Sequence, residues 1–152
     1  MYVPTVSSVT MYRDVLVPTD GSETIERVFE HTAEVTDTAG TVHLLYVIDD
    51  QVFLTLADEM QDDVLVDLRE EGASAVRAAR EPLEQRGYEV STSIREGKPA
   101  DEINAYVEEH DIDLVTMGTR GDEYTQNMLG STAQNVVTNC PAPVLTVDLR
   151  EN

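Results

Sequence analysis

The stretch from Ile112 to Val137 constrains this chain more than any other. Ile112-Asp113-Leu114-Val115-Thr116-Met117 is a compact, mostly apolar run, short enough for a strand and apolar enough for one covered on both faces. Gly118-Thr119-Arg120-Gly121 follows directly, and after an eight-residue gap Gly130-Ser131-Thr132 opens a segment, Ala133 to Val137, that reads as a helix. The order is therefore strand, glycine loop, helix N-terminus. Such a junction suits an anion. Glycines lack a Cβ and let backbone N–H groups come close to a ligand. Ser131 is placed to cap the helix, whose free N–H groups and dipole favour negative charge. Arg120 adds a forked cationic donor between two glycines. The bland reading of these residues is a sharp turn and an ordinary capped helix. The third glycine, with a hydroxyl residue after it, tilts the balance toward a phosphate site.

The rest of the chain repeats the strand-then-helix order. Val15-Leu16-Val17, ended by Pro18, is another short run suited to burial on both faces. Thr19-Asp20-Gly21-Ser22 supplies turn chemistry, with Ser22 as the helix cap. Ile25, Val28, Phe29, Thr32 and Ala33 then fall at helical spacing, predicting a helix to about Thr38 that Gly40 stops. Val42 to Ile48 reads as the second buried strand, Gln61 to Gln85 as a long helix ended by Arg86-Gly87, and Tyr88 to Arg95 as an alternating edge strand. Gly97-Lys98-Pro99 turns into a helix with Ile103, Tyr106 and Val107 inward, and Val144 to Val147 is the last strand. Residues 49–60 show no clear period; Val52-Phe53-Leu54 is expected to cover an open end of the sheet or to meet a partner. Residues 1–11 read as an extension before a single domain over 12–152. Strands alternating with helices imply an α/β fold with a parallel sheet, and right-handed crossovers make it a doubly wound open sandwich.

Charge narrows the function. Among 152 residues there are 30 acidic and 10 basic ones, a formal charge of −20, and Lys98 is the sole lysine. That balance argues against nucleic acid or an anionic membrane surface as partner. It does not signal disorder, because apolar residues make up 41% and fall in periodic blocks. A lysine-poor acidic surface suits concentrated salt, which damps its self-repulsion, so a salt-rich cytoplasm is the expected setting. No apolar run reaches membrane-spanning length, and the N-terminus lacks the pattern of a signal peptide. Cys140, a lone cysteine before Pro141, reads as a packed residue. His43 inside its strand reads as packed rather than catalytic. His31 and His110 lie far from it in sequence, and Asp49-Asp50 and Asp62-Asp63 lack calcium-loop spacing, so no metal site is expected.

Gly118-x-x-Gly121, the gap and Gly130-Ser131 together resemble the nucleotide signature of the universal stress protein family. Tyr12 to Ser22 resembles that family's opening strand and loop, and Val42 to Asp49 its second strand. Gly97-Lys98-Pro99 and Pro141-Ala142-Pro143-Val144-Leu145 fit later landmarks in the right order. The resemblance implies a five-stranded parallel sheet in the order 3-2-1-4-5, with a crevice where strands one and four part. It implies an adenine nucleotide, ATP or a relative, in that crevice. Pro18, Thr19, Asp20 and Val47 would stand on the nucleoside side. Met117, Gly118, Arg120, Gly121, Gly130, Ser131 and Thr132 would stand on the phosphate and ribose side. Asp20 makes sense facing ribose hydroxyls or a Mg2+ ion. The gap from Asp122 to Leu129 is one residue shorter than usual in this family and opens with two carboxylates, Asp122 and Glu123. The competing reading is therefore a member of the same family without nucleotide, acting as a dimeric protein-interaction module. No residue near the loops reads as a base that activates water, so slow ATP hydrolysis is the most that is expected. A phosphoryl-accepting receiver domain built on Asp20 would need a lysine after the fourth strand, and Lys98 comes before it. A homodimer is expected through the exposed edge of Val144 to Val147.

Overall fold

The computed structural model describes residues 11–19, 25–119 and 131–148. The chain runs β1 (Tyr12–Thr19), α1 (Ile25–Val35), β2 (Thr36–Asp49), a 3-10 helix (Asp50–Thr55), α2 (Asp58–Gln85), β3 (Glu89–Gly97), α3 (Pro99–Glu109), β4 (Leu114–Thr119), α4 (Ser131–Asn139) and β5 (Val144–Asp148). The five strands form one all-parallel sheet in the order β3-β2-β1-β4-β5. This is the α/β architecture that the alternation of strands and helices implied and the strand order that the family resemblance implied.

Strand alternation divides the interior into two cores, one on each face of the sheet. Leu16, Leu45, Val115 and Met117 face α3 and α4, where they pack with Ile103, Tyr106, Val107, Ala133 and Val136. Val17, Val42, Leu44 and Val147 face α1 and α2, where they pack with Val28, Phe29, Val76, Ala79 and Leu83. Leu16, Leu44 and Leu45 are fully enclosed, and burying each such side chain contributes roughly 2 kcal/mol. Burial on both faces is why the β1 and β4 runs are continuously apolar.

Several boundaries differ from the sequence reading, three of them for reasons visible in the packing. The second strand begins at Thr36, not Val42, and Gly40 lies inside it rather than stopping a helix. The β1–β2 register jumps from Tyr12↔Thr36 to Asp14↔Thr41, so β2 carries extra residues that bulge past Arg13. Gly40 is where the two backbones come closest; a Cβ there would collide with the Arg13 carbonyl. The long helix starts at Asp58, three residues before Gln61, because the 3-10 helix leads into it with Ala57 between β-like and helical backbone. Asp49 caps that 3-10 helix by accepting from the Gln51 N–H at 3.0 Å. The fourth strand extends through Gly118 to Thr119, so Gly118 is a strand residue and not the first residue of the loop. Other signals hold as read. Pro99 begins α3, and Gly87 takes a positive φ of 96° just past the end of α2.

Candidate functional site

Two neighbouring strands place the site. β1 lies at the centre of the sheet with β2 on one side and β4 on the other. After β1 the chain passes to α1 on one face; after β4 it passes to α4 on the opposite face. Their carboxyl ends therefore form a topological switch point, where open α/β sheets make their ligand crevices. β1 and β4 pair at Val15↔Leu114 and Leu16↔Val115. No further pairing between them occurs among the described residues. Each instead continues along its outer neighbour, β1 as far as Thr19↔Tyr46 and β4 as far as Thr119↔Asp148. The sheet is thus unlaced at the point where the crevice was expected.

Pro18 and Thr19 end β1, the first half-buried and the second buried. Gly118 is half-buried and pairs with Val147. Val47 packs at the margin of the core under α3 and α4. Met117 belongs to that core at 6% exposure, so its side chain is committed to packing and only its backbone is left for a ligand. Ser131 opens α4, and Thr132 is half-buried one residue before Ala133, which packs in the same core as Met117. Asp20, Arg120, Gly121 and Gly130 lie outside the described residues, as do Asp122 to Leu129 and the Ser131 side chain. Among the described site residues, Pro18, Thr19 and Gly118 stand at the ends of adjacent strands, while Val47 borders the core on the α3/α4 face and Thr132 lies in the first turn of α4.

A threonine chain that the sequence did not announce ties α1 to the sheet. The Oγ1 atoms of Thr32 in α1 and Thr116 in β4 lie 2.7 Å apart, and both residues are fully enclosed. Thr32 also donates to the Val28 carbonyl at 2.7 Å, so Thr116 supplies the proton between the two hydroxyls. Thr36 donates in turn to the Thr32 carbonyl at 2.6 Å. α1 is thereby pinned to β4 one residue before Met117. The only sequence signal was a hydroxyl at an inward helical position, Thr32, and another inside an apolar run, Thr116.

A second polar cluster occupies the α3 side, nearer the amino ends of the strands. The two ring nitrogens of His43 meet Tyr106 Oη at 2.7 Å and Asp14 Oδ1 at 3.0 Å. His110 stacks on Tyr106 with ring centroids 3.9 Å apart, and the Arg95 guanidinium lies 5.0 Å from the same ring. Arg95 also forks onto Glu109 at 2.9 and 3.1 Å. That bond raises the Arg95 pKa and holds the Glu109 carboxyl below its ordinary range. Burial pushes the Tyr106 phenol up from 10.0, against hydrogen bonds from Ser91 and Ser93 that pull it down. His43 is buried with both nitrogens engaged, which agrees with a packed role. The sequence separated His110 from His43, yet their rings are 5.9 Å apart. Even so, no group of three metal-ligating side chains occurs among the described residues.

Residues 11–148 match the universal stress protein family. The chain belongs to that family. A curated relative, universal stress protein MJ0531 of Methanocaldococcus jannaschii, is 32% identical over 140 residues, which cover 90% of this chain and 82% of that one. The solved structure of MJ0577 from the same organism superposes with a TM-score of 0.82 at 33% identity, covering 93% of this chain and 99% of that one. A more distant solved structure, an Arabidopsis thaliana universal stress protein family protein with AMP bound, shares the fold at 19% identity and a TM-score of 0.65, over 90% and 91% of the two chains.

Among the described residues of this universal stress protein, the groups with displaced pKa values are Tyr88, Arg95, Tyr106, Glu109 and Cys140. Tyr106, Arg95 and Glu109 belong to the cluster just described. Tyr88, whose hydroxyl donates to the Ala33 carbonyl at 2.7 Å, is raised by burial beneath the opposite face. Burial likewise pushes the Cys140 thiol up, in keeping with a packed residue at the end of α4. No helix of the described residues is long and apolar enough to cross a membrane.

Proposed function

We propose that this universal stress protein binds an adenine nucleotide, ATP or a close relative, at the β1/β4 switch point and acts as a stress-response regulatory or protective module. The observation that carries this reading is the end of β1–β4 pairing at Leu16↔Val115, with Gly118 near the top of β4. The occurrence of AMP in a distant solved member is consistent with it at the level of the fold. Pro18, Thr19, Asp20 and Val47 would take the nucleoside. The backbone of Met117 and Gly118, with Arg120, Gly121, Gly130, Ser131 and Thr132, would take the phosphates and ribose. Asp20 is the residue suited to a Mg2+ ion bound with the nucleotide.

The protein would work in a salt-rich cytoplasm as a homodimer joined through β5, the outer strand of its sheet. Residues 12–152 would form its domain, with 1–11 as an extension. Without a placed base to activate water, ATP turnover would be slow at most. The second reading, a family member that dimerises without nucleotide, is favoured by the short gap between Gly121 and Gly130 and its carboxylates Asp122 and Glu123. Titration calorimetry with ATP and AMP separates the two. Wild type should bind, and Gly118→Val should bind at least about tenfold more weakly, a loss of about 1.4 kcal/mol, with its melt unchanged. No heat of binding from wild type would favour the second reading, and an unchanged affinity in the variant would move the nucleotide site away from Gly118.

A further inference from the structure

We propose that the 3-10 helix and the first half of α2 form a docking face for a basic amphipathic helix of another protein. Helix α2 lies on the sheet only through its second half. Its buried residues are Gly72, Val76, Ala79 and Leu83. Gly72 marks the crossing, since a Cβ there would lie 2.7 Å from the Tyr46 ring. The part before it, from Asp58 onward, has no buried residue and extends for about 20 Å at the helical rise of 1.5 Å per residue.

This projecting part keeps an apolar side. Met60, Val64 and Leu68 recur at intervals of four along one side of the helix, beside Leu65; Met60 is exposed and the other three are half-buried. The neighbouring 3-10 helix adds Phe53 and Leu54. Of the four large apolar side chains exposed among the described residues, two are on this face, Leu54 at 80% and Met60 at 52%, while Val66 lies on another side of α2. Leu54 and Met60 are not on a loose loop. Gln61 donates to the carbonyls of Phe53 and Leu56 at 3.2 and 3.3 Å, which ties the two helices together.

The rim of this face selects its partner. From Asp49 to Glu71 the chain carries nine carboxylates against one cation, Arg69. All nine are exposed, and Arg69 is engaged by Glu96 of β3. An apolar stripe between rows of carboxylates complements a helix with leucine-like residues on one side and lysine or arginine along both flanks. A second copy of this chain would bring a like-charged rim against it, and each copy carries −20.

The probe is a synthetic peptide of leucine and lysine at helical spacing, followed by fluorescence anisotropy at about 0.15 M salt and again in molar potassium chloride. A scrambled peptide of the same composition controls for plain charge attraction. Wild type should bind the helical peptide at least about tenfold more tightly than the scrambled one. Leu54→Ser with Met60→Ser should remove that preference without altering the melt, because both side chains are exposed. Equal binding of the two peptides, or an intact preference in the variant, would overturn the proposal. A wild-type oligomer that the same variant dissociates would assign the face to a second copy. A tenfold gain in peptide affinity on deleting residues 1–10 would assign it to the chain's own N-terminal segment.

Discussion

At the scale of single residues, Tyr106 joins a hydrogen bond, a ring stack and a cation contact in one buried side chain. It is fully enclosed, meets His43 at 2.7 Å and is stacked by His110. Replacing its hydroxyl leaves a buried His43 nitrogen unmatched, so Tyr106→Phe should cost about 1–3 kcal/mol at neutral pH, measured by denaturant unfolding. The hydroxyl also sets the response to alkali. Burial raises the Tyr106 and Tyr88 phenols above 10.0, so the unfolded chain ionises before the folded one. Their contribution is complete below pH 10.0 and is lost as pH rises toward and through the folded values. Unfolding free energy should therefore begin to fall near that point, and Tyr106→Phe should fall less steeply from its lower start. An alkaline limb identical to wild type would contradict this account of Tyr106.

At the scale of elements, the irregular start of β2 depends on Gly40. A methyl group there would press on the Arg13 carbonyl, with the Arg13 Cα and C atoms 2.9 Å away. Arg13 has no room to yield, because Tyr12 and Asp14 on either side are held in register against β2. Gly40→Ala should destabilise by about 1–3 kcal/mol, and faster amide exchange from Tyr12 to Asp14 would localise the damage. Unchanged stability would mean that the two backbones lie farther apart than described. The same glycine shows where sequence reading reached its limit. Gly40 after a helical period looks like a stop, because contact with Arg13 is not local in sequence. Gly118 looked like a loop for a related reason: its place in β4 is fixed by pairing with Val147, far along the chain. Val15 to Val17 and Leu114 to Met117 were legible because a strand covered on both faces must be apolar throughout. Pro99 and Gly87 were legible because their backbone demands are local. The Asp14–His43–Tyr106 line was illegible, since those residues sit on three different elements. The strand order itself came from family resemblance and not from the residues' period.

At the scale of the whole molecule, assembly and salt go together. β5 ends the sheet, and Val144, Leu145 and Thr146 are only half-buried within one chain. Pairing two β5 strands about a two-fold axis would satisfy both edges. The charge of −20 opposes that approach and compaction alike until salt screens it. Melting temperature and the dimer fraction by light scattering should both rise from dilute buffer to molar potassium chloride, and Leu145→Pro should stay monomeric throughout. A flat melting curve or a dimeric proline variant would count against this assembly. The central claim concerns the switch point, and amide NMR during an ATP titration tests it most directly. Saturable shifts should gather at Thr19, Val47, Gly118, Thr119 and Thr132, leaving His43 and Tyr106 still. Shifts centred on His43 and Tyr106 instead, or no saturation by millimolar ATP, would contradict nucleotide binding between β1 and β4.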